Sequence, residues 1–236
     1  MWLVLSAPED TGALHLAALL RERGLNPLVQ VSTEDLGLAD WVYHTGGEVE
    51  TSEIGLPGGE RILSGSLRGV LNRLYAVPAT ALARMEKADR DYAREELHAL
   101  YTSWLHGLAC PVINRAGATG LCGNWPDRSW WRARAFSAGL PTDAYSWRAG
   151  DEEPMDTVSM ASAILLDGRV VEGDVPLPLH PACARFAGFS DPRLLGLRFS
   201  VNSGSGWLLI DANPLPDLSQ SGHALAEALA RALQQS

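Results

Sequence analysis

The chain has 236 residues, 46% of them hydrophobic, and a formal net charge of −9. That length allows a sizeable core, in one large domain or two small ones. The acidic balance repels phosphate backbones and excludes nucleic acid as the default partner. Lys87 is the only lysine, so almost all positive charge is arginine. No basic stretch precedes the first apolar residues, and no apolar run is long enough to span a bilayer. The expectation is therefore a cytoplasmic protein with no export signal and no membrane segment. Cys110, Cys122 and Cys183 are odd in number and lack metal-ligand spacing, which suits a reduced compartment and core positions.

In chain order, residues 2–6 read as a buried strand ended by Pro8-Glu9-Asp10. Thr11 is the expected cap of a helix that Gly24 stops, and Leu28 to Val31 is the next strand. Strand, helix, strand predicts a βαβ start and a parallel sheet. Asp40–Thr45 and Val49–Ile54 each read as short strands, and Gly69 to Arg73 follows. The spacing of Leu97, Leu100, Tyr101, Trp104, Leu105 and Leu108 predicts a long amphipathic helix over 80–108. Pro111 to Arg115 is a short strand, and Arg128 to Ala138 is a helix closed by Gly139. Asp167-Gly168 between two β-type runs predicts a hairpin. Residues 194–201 and 207–211 predict a second hairpin, and 225–233 a final helix.

Three of these segments, in order, carry a resemblance. They are Gly69-Val70-Leu71-Asn72-Arg73 with the helix and strand that follow, then Arg128 to Thr142 ending in Ala-Gly-Leu-Pro-Thr, then Trp207 to Pro216 containing Asp211-Ala212-Asn213-Pro214. Together they resemble the ATP-grasp superfamily, nearest in flavour to its peptide-modifying ligases. The resemblance implies an α/β fold with an N-terminal βαβ half. An ATP-grasp-like C-terminal half would follow, with a reduced or missing lid, divided as 1–115 and 116–236. It also implies Mg²⁺ and ATP as cofactors where the chemistry is kept, and none where it is lost. Alternation along a strand puts Asp211 and Asn213 on one face, where their oxygens could ligate a magnesium ion. The other reading of that pair is a strand end closed by Asx-type turn bonds.

The departures from the family pattern are as informative. The family holds nucleotide phosphates with two lysines. Register from Gly139 places Arg128 where one would stand, and no lysine remains for the other. The strand before the last carries Arg198 where the family has an acidic metal ligand. Arg128 and Arg198 are thus candidate contacts for phosphate or a substrate carboxylate, and no catalytic residue is assigned. Two phosphate lysines, a metal carboxylate and much of the lid are replaced or lost, which removes electrostatic stabilisation on which phosphoryl transfer depends. The expected function is a non-catalytic partner or ligand-binding subunit of a biosynthetic or peptide-modifying complex, working as a homodimer or with a protein partner. The alternative is a minimal Mg·ATP-dependent carboxylate–amine ligase acting through an acyl phosphate.

Other clusters are weaker. Asp151, Glu152, Glu153 and Asp156 read as a solvated loop. Trp125, Trp130 and Trp131 among Arg128, Arg132 and Arg134 read as an interface. Gly117 to Gly120 lacks the Gly-Lys-Ser/Thr that would make it a phosphate loop.

Overall fold

A computed structural model describes residues 1–44, 51–78, 82–142, 159–202 and 206–235. The acidic run at 151–156 lies outside the described residues. The chain forms two compact units, one from Met1–Asn124 with Asp217–Ser236, the other from Trp125–Pro216. Compactness thus divides the chain at 124 rather than 115, and returns the last helix to the first unit.

The first unit is built on a parallel sheet of β1 (Trp2–Ser6), β2 (Leu28–Ser32), β6 (Gly69–Asn72) and β7 (Val112–Ile113), in the order β2-β1-β6-β7. All five residues of β1 are buried, as expected for a central strand covered on both faces. Helix α1 (Thr11–Glu22) crosses from β1 to β2. Its cap is Asp10, whose Oδ1 accepts from the Ala13 N–H at 2.9 Å, rather than Thr11. The last helix, α6 (His223–Gln234), packs beside α1 and over β6 and β7. A Cβ at Gly69 would lie 3.0 Å from the Leu233 carbonyl, so the helix packs tightly on the strand there.

On the other face Leu3, Leu5, Val31, Val70 and Val112 share a core with Tyr101, Trp104 and Leu105 of helix α3 (Lys87–Gly107). The sequence placed that helix over 80–108; it begins only at Lys87, residues 83–86 forming a turn before it, and 79–81 lie outside the described residues. The short helix α2 (Thr33–Gly37) leads into an antiparallel sheet of β3 (Asp40–His44), β4 (Thr51–Gly55) and β5 (Arg61–Leu63). Trp41 of β3 stacks on Tyr101 at 5.6 Å and meets Trp104 edge-on at 5.3 Å, which ties this sheet to α3.

The second unit is an antiparallel sheet in the order β11-β10-β8-β9, with two helices on one face. Its strands are β8 (Ser159–Leu166), β9 (Arg169–Gly173), β10 (Leu194–Asn202) and β11 (Gly206–Asn213). The expected Asp167-Gly168 turn is present, both residues having positive φ, 49° and 75°, as a two-residue hairpin loop demands. Helix α4 (Arg128–Ala138) starts at its Asp127 cap and ends at Gly139, whose φ of +80° suits a left-handed C-terminal residue. Trp131, Ala135 and Ala138 of α4 and Phe186 of α5 (His180–Ala187) pack with Leu197, Phe199, Leu209 and Ala212 of the sheet. The span 143–190, which the sequence leaves open, supplies β8, β9 and α5, with 143–158 outside the described residues. No described helix is long and apolar enough to cross a membrane.

Candidate functional site

Each unit has a place where its strands end and chemistry-bearing side chains gather. In the first it is the carboxyl edge of the parallel sheet. Strand order reverses between β1 and β6, since β1 connects outward to β2 and β6 outward to β7. Such a switch point is where open α/β sheets leave a ligand crevice. Here it is filled. Arg73, just past β6, is 4% exposed and its Nε donates to Asp10 Oδ2 at 2.8 Å. The segment 217–221 closes in from the same side. Gly12 packs on the Leu218 and Ser219 backbone, with room for no Cβ beyond 3.0 Å, and His15 Nε2 bonds the Ser221 carbonyl at 2.8 Å. The Asp217 carboxyl is held below its ordinary range by the Ser219 N–H and hydroxyl, with the Arg73 charge adding.

Asn72 organises the neighbouring strand ends. Its amide donates to the carbonyls of Asn114 at 2.7 Å and Leu121 at 2.6 Å, and its Oδ1 accepts from the Leu74 N–H at 3.1 Å. Asn114 itself sits at φ +60°, a left-handed position that asparagine tolerates better than most residues. The loop after β7 is therefore pinned from its start to Leu121. Arg115 braces the same region by donating to the Leu108 and Cys110 carbonyls. These arginine and asparagine roles were not legible in the sequence, where the Asn-Arg pairs are only motif letters.

In the second unit the site lies on β10 and β11. Pairing runs Asn202↔Gly206 to Phe199↔Leu209, then jumps to Arg198↔Asp211, with Ile210 left as the extra residue of a bulge. The bulge sets Arg198 directly across from Asp211, and Gly196 across from Asn213. Asp211 and Asn213 share a face, as alternation requires. The face with Leu197 and Ala212 is the one that α4 and α5 cover. Arg198 Nη2 stands 3.7 Å from Asp211 Oδ2, with side chains 48% and 30% exposed. Asp211 Oδ1 accepts from the Ala212 N–H at 2.9 Å, and Asn213 Oδ1 accepts from the Leu215 N–H at 2.7 Å. The latter is an Asx turn that carries the chain into Pro216, which lies against Gly196.

A magnesium ion at this pair would sit beside a guanidinium, and like charges at such range repel. Asn213 Oδ1 already accepts one N–H, which leaves it a single lone pair. Among the described residues no three His, Cys, Asp or Glu side chains converge as a metal set. Arg128 occupies the first position of α4, half-buried, directly after the Asp127 cap. Lys87, the one lysine, is on the exposed side of α3 and bonds Asp91 at 2.6 Å. Of the residues singled out from sequence, the structure joins Arg198, Asp211 and Asn213 on one strand pair. It leaves Arg128 on a separate element.

No protein-family profile and no curated protein sequence matches the chain. Solved structures do. The macrocyclase MdnC from Microcystis aeruginosa MRC, bound with precursor peptide MdnA, superposes with a TM-score of 0.73 at 10% identity, over 98% of this chain and 99% of that one. The ATP-grasp ligase PsnB, complexed with minimal precursor, Mg and ADP, gives 0.71 at 14% identity, over 99% and 98%. A RiPP-associated ATP-grasp ligase from Chryseobacterium gregarium, in complex with ADP and a leader and core peptide, gives 0.73 at 8% identity, over 98% and 96%. Identities this low speak for architecture alone, and on that ground the chain has the fold of the ATP-grasp ligases.

Proposed function

We propose that this chain is a non-catalytic member of the peptide-modifying ATP-grasp group, a cytoplasmic binding subunit that recognises a peptide or protein without transferring phosphate. The observation that carries the reading is the Arg198–Asp211 pair. A carboxylate that would ligate magnesium faces a cation across the ladder, and among the described residues no group of three metal-ligating side chains gathers. Phosphoryl transfer relies on metal and lysine charge to stabilise its transition state, and this arrangement supplies neither. The peptide part of the reading is supported by the precursor, leader and core peptides held by the similar structures. Free thiols at Cys110, Cys122 and Cys183 suit a reducing compartment.

The test is calorimetric titration of Mg·ATP into the whole protein. The expected result is no binding up to about millimolar nucleotide, an interaction weaker than about −4 kcal/mol. Micromolar binding that Asp211→Ala weakens would overturn it. That result would favour a minimal carboxylate–amine ligase, the reading that retention of Asp-Ala-Asn-Pro at the end of β11 supports. Association as a homodimer, or with a protein partner, belongs to the same proposal. Light scattering showing only a monomer at micromolar concentration would remove the homodimer from it.

A further inference from the structure

The crevice at the strand-order reversal is plugged by Arg73 and Asp10, but one strand further along the first unit is open. Beyond the carboxyl ends of β6 and β7 lies a cleft of about 590 Å³. That is within the range of small-ligand sites, roughly 300–1,000 Å³. One wall is the outer face of α3, with Arg94, Glu95 and His98. The opposite wall is the segment after β6, with Tyr75 and Val77, and Thr119 of the loop after β7 lines it as well.

Three features make this cleft more than a charged helix face. Its loop wall is built: Gly117 bridges Gly120 at 2.8 Å, the Thr119 N–H points to Asn124 Oδ1, and Asn72 anchors the loop at Leu121. Its aromatic wall is presented: Tyr75 is 63% exposed in a segment held by the Leu74–Asn72 bond. Its charges are only partly engaged, Arg94 acting at a distance on Asp91 one turn away. Asp91, also on this wall, is taken by Lys87, whose hydrogen bond holds the Asp91 carboxyl below its ordinary range. Arg94, Glu95 and His98 form no ion pair among the described residues.

One wall therefore offers the Arg94 guanidinium and the His98 imidazole at i and i+4, beside an anionic group, Glu95. Residues so spaced on a helix lie on one side. A simple anion would be repelled by Glu95, and a simple cation by Arg94. A ligand carrying both charges within a few ångströms satisfies both, and an aromatic side chain on it would reach Tyr75 and Val77. We propose that this cleft binds a zwitterionic α-amino acid, with its carboxylate on Arg94 and His98, its ammonium on Glu95 and its side chain against Tyr75. The site lies entirely in the first unit and does not depend on nucleotide, so it goes beyond the reading given above and stands or falls separately from it.

The experiment is titration of L-phenylalanine into the whole protein, by calorimetry and by ligand-observed NMR, without nucleotide. Two analogues each remove one charge: N-acetyl-phenylalanine and phenethylamine. Phenylalanine is expected to bind, and each analogue to bind about tenfold or more weakly, the loss for one charge-assisted contact. Arg94→Ala and Glu95→Gln should each weaken phenylalanine by about tenfold, whereas Glu96→Gln, on the same helix outside the cleft, should not. Both positions are exposed and both replacements are good helix formers, so the fold is kept. Absence of phenylalanine binding to about 10 mM would overturn the proposal. So would equal binding of either analogue, or unchanged binding in both cleft variants. A response to Mg·ATP would instead contradict the non-catalytic reading and leave this site untouched.

Discussion

Arg73 Nε lies 2.8 Å from Asp10 Oδ2 where strand order reverses in the parallel sheet, and the arginine is almost wholly buried. Removing one partner of a buried pair costs about 3–5 kcal/mol where nothing else compensates the charge that is left. Asp10→Asn keeps the helix cap and removes only the charge, and Asp217 still feels Arg73, so a loss below that figure in urea unfolding is the expected outcome. Adding Arg73→Met should recover much of it. A double variant no more stable than the single one would show that Arg73 has other essential work.

Gly196 is the point at which the turn after β11 folds back onto β10. A Cβ there would sit 2.8 Å from Pro216 Cβ, closer than carbon atoms approach. Gly196→Ala should therefore push the Asp211–Pro216 turn away, costing about 1–3 kcal/mol as overpacking does. Amide exchange at Leu215, whose N–H bonds Asn213 Oδ1, should speed up with it. An unchanged exchange rate would count against the packing described.

Asn72 serves three backbone groups at once. Asn72→Ala leaves them without that partner, for an expected loss of about 2–4 kcal/mol. Protease cutting in 117–124 should rise in step. If the phenylalanine site exists, its affinity should fall in this variant although Asn72 is not part of the cleft wall.

Burial pushes the Cys183 thiol up to about 11 from an ordinary 9.0. A raised value in the folded state means that folding favours the protonated thiol. Its contribution is complete below the unfolded value and is lost as pH rises from there through about 11. Native protein at pH 8 should leave Cys183 untouched by a disulfide reagent, since the thiolate is the reactive form. Cys183→Ala should flatten any fall in stability between pH 9 and 11.

Arg198 and Asp211 are a partly exposed pair, and such pairs contribute about 0–1 kcal/mol. Arg198→Ala should melt within a few degrees of the wild type. Any change it makes in metal or nucleotide binding can then be read as chemistry at the site rather than loss of fold. A large drop in melting temperature would mean that the bulge depends on the pair.

Local order was legible where a residue type has only one use. Asp167-Gly168 between apolar runs forms its hairpin, and Gly139 ends α4, because positive φ restricts the choice of residue. The α/β class was also readable, since apolar runs and helical spacing alternate in the first third of the chain. The antiparallel pairing of β3 with β4 was not, although Pro57-Gly58-Gly59 does signal the turn between β4 and β5. Neither was the facing of Arg198 and Asp211. Continuing the hairpin register from its turn would pair Arg198 with Ile210, and only the bulge moves it by one. A one-residue shift in a ladder leaves no mark in composition or spacing. Arg73 was read as a motif letter, and its burial depends on Asp10, 63 residues earlier.

The first unit is assembled from two pieces of chain, and α6, which covers β6 and β7, belongs to the second piece. Everything in the other unit is synthesised between them. During translation the parallel sheet must therefore wait, with the Gly69 side of β6 uncovered, until the entire second unit has left the ribosome. The second unit, continuous from 125 to 216, has no such delay and can finish first.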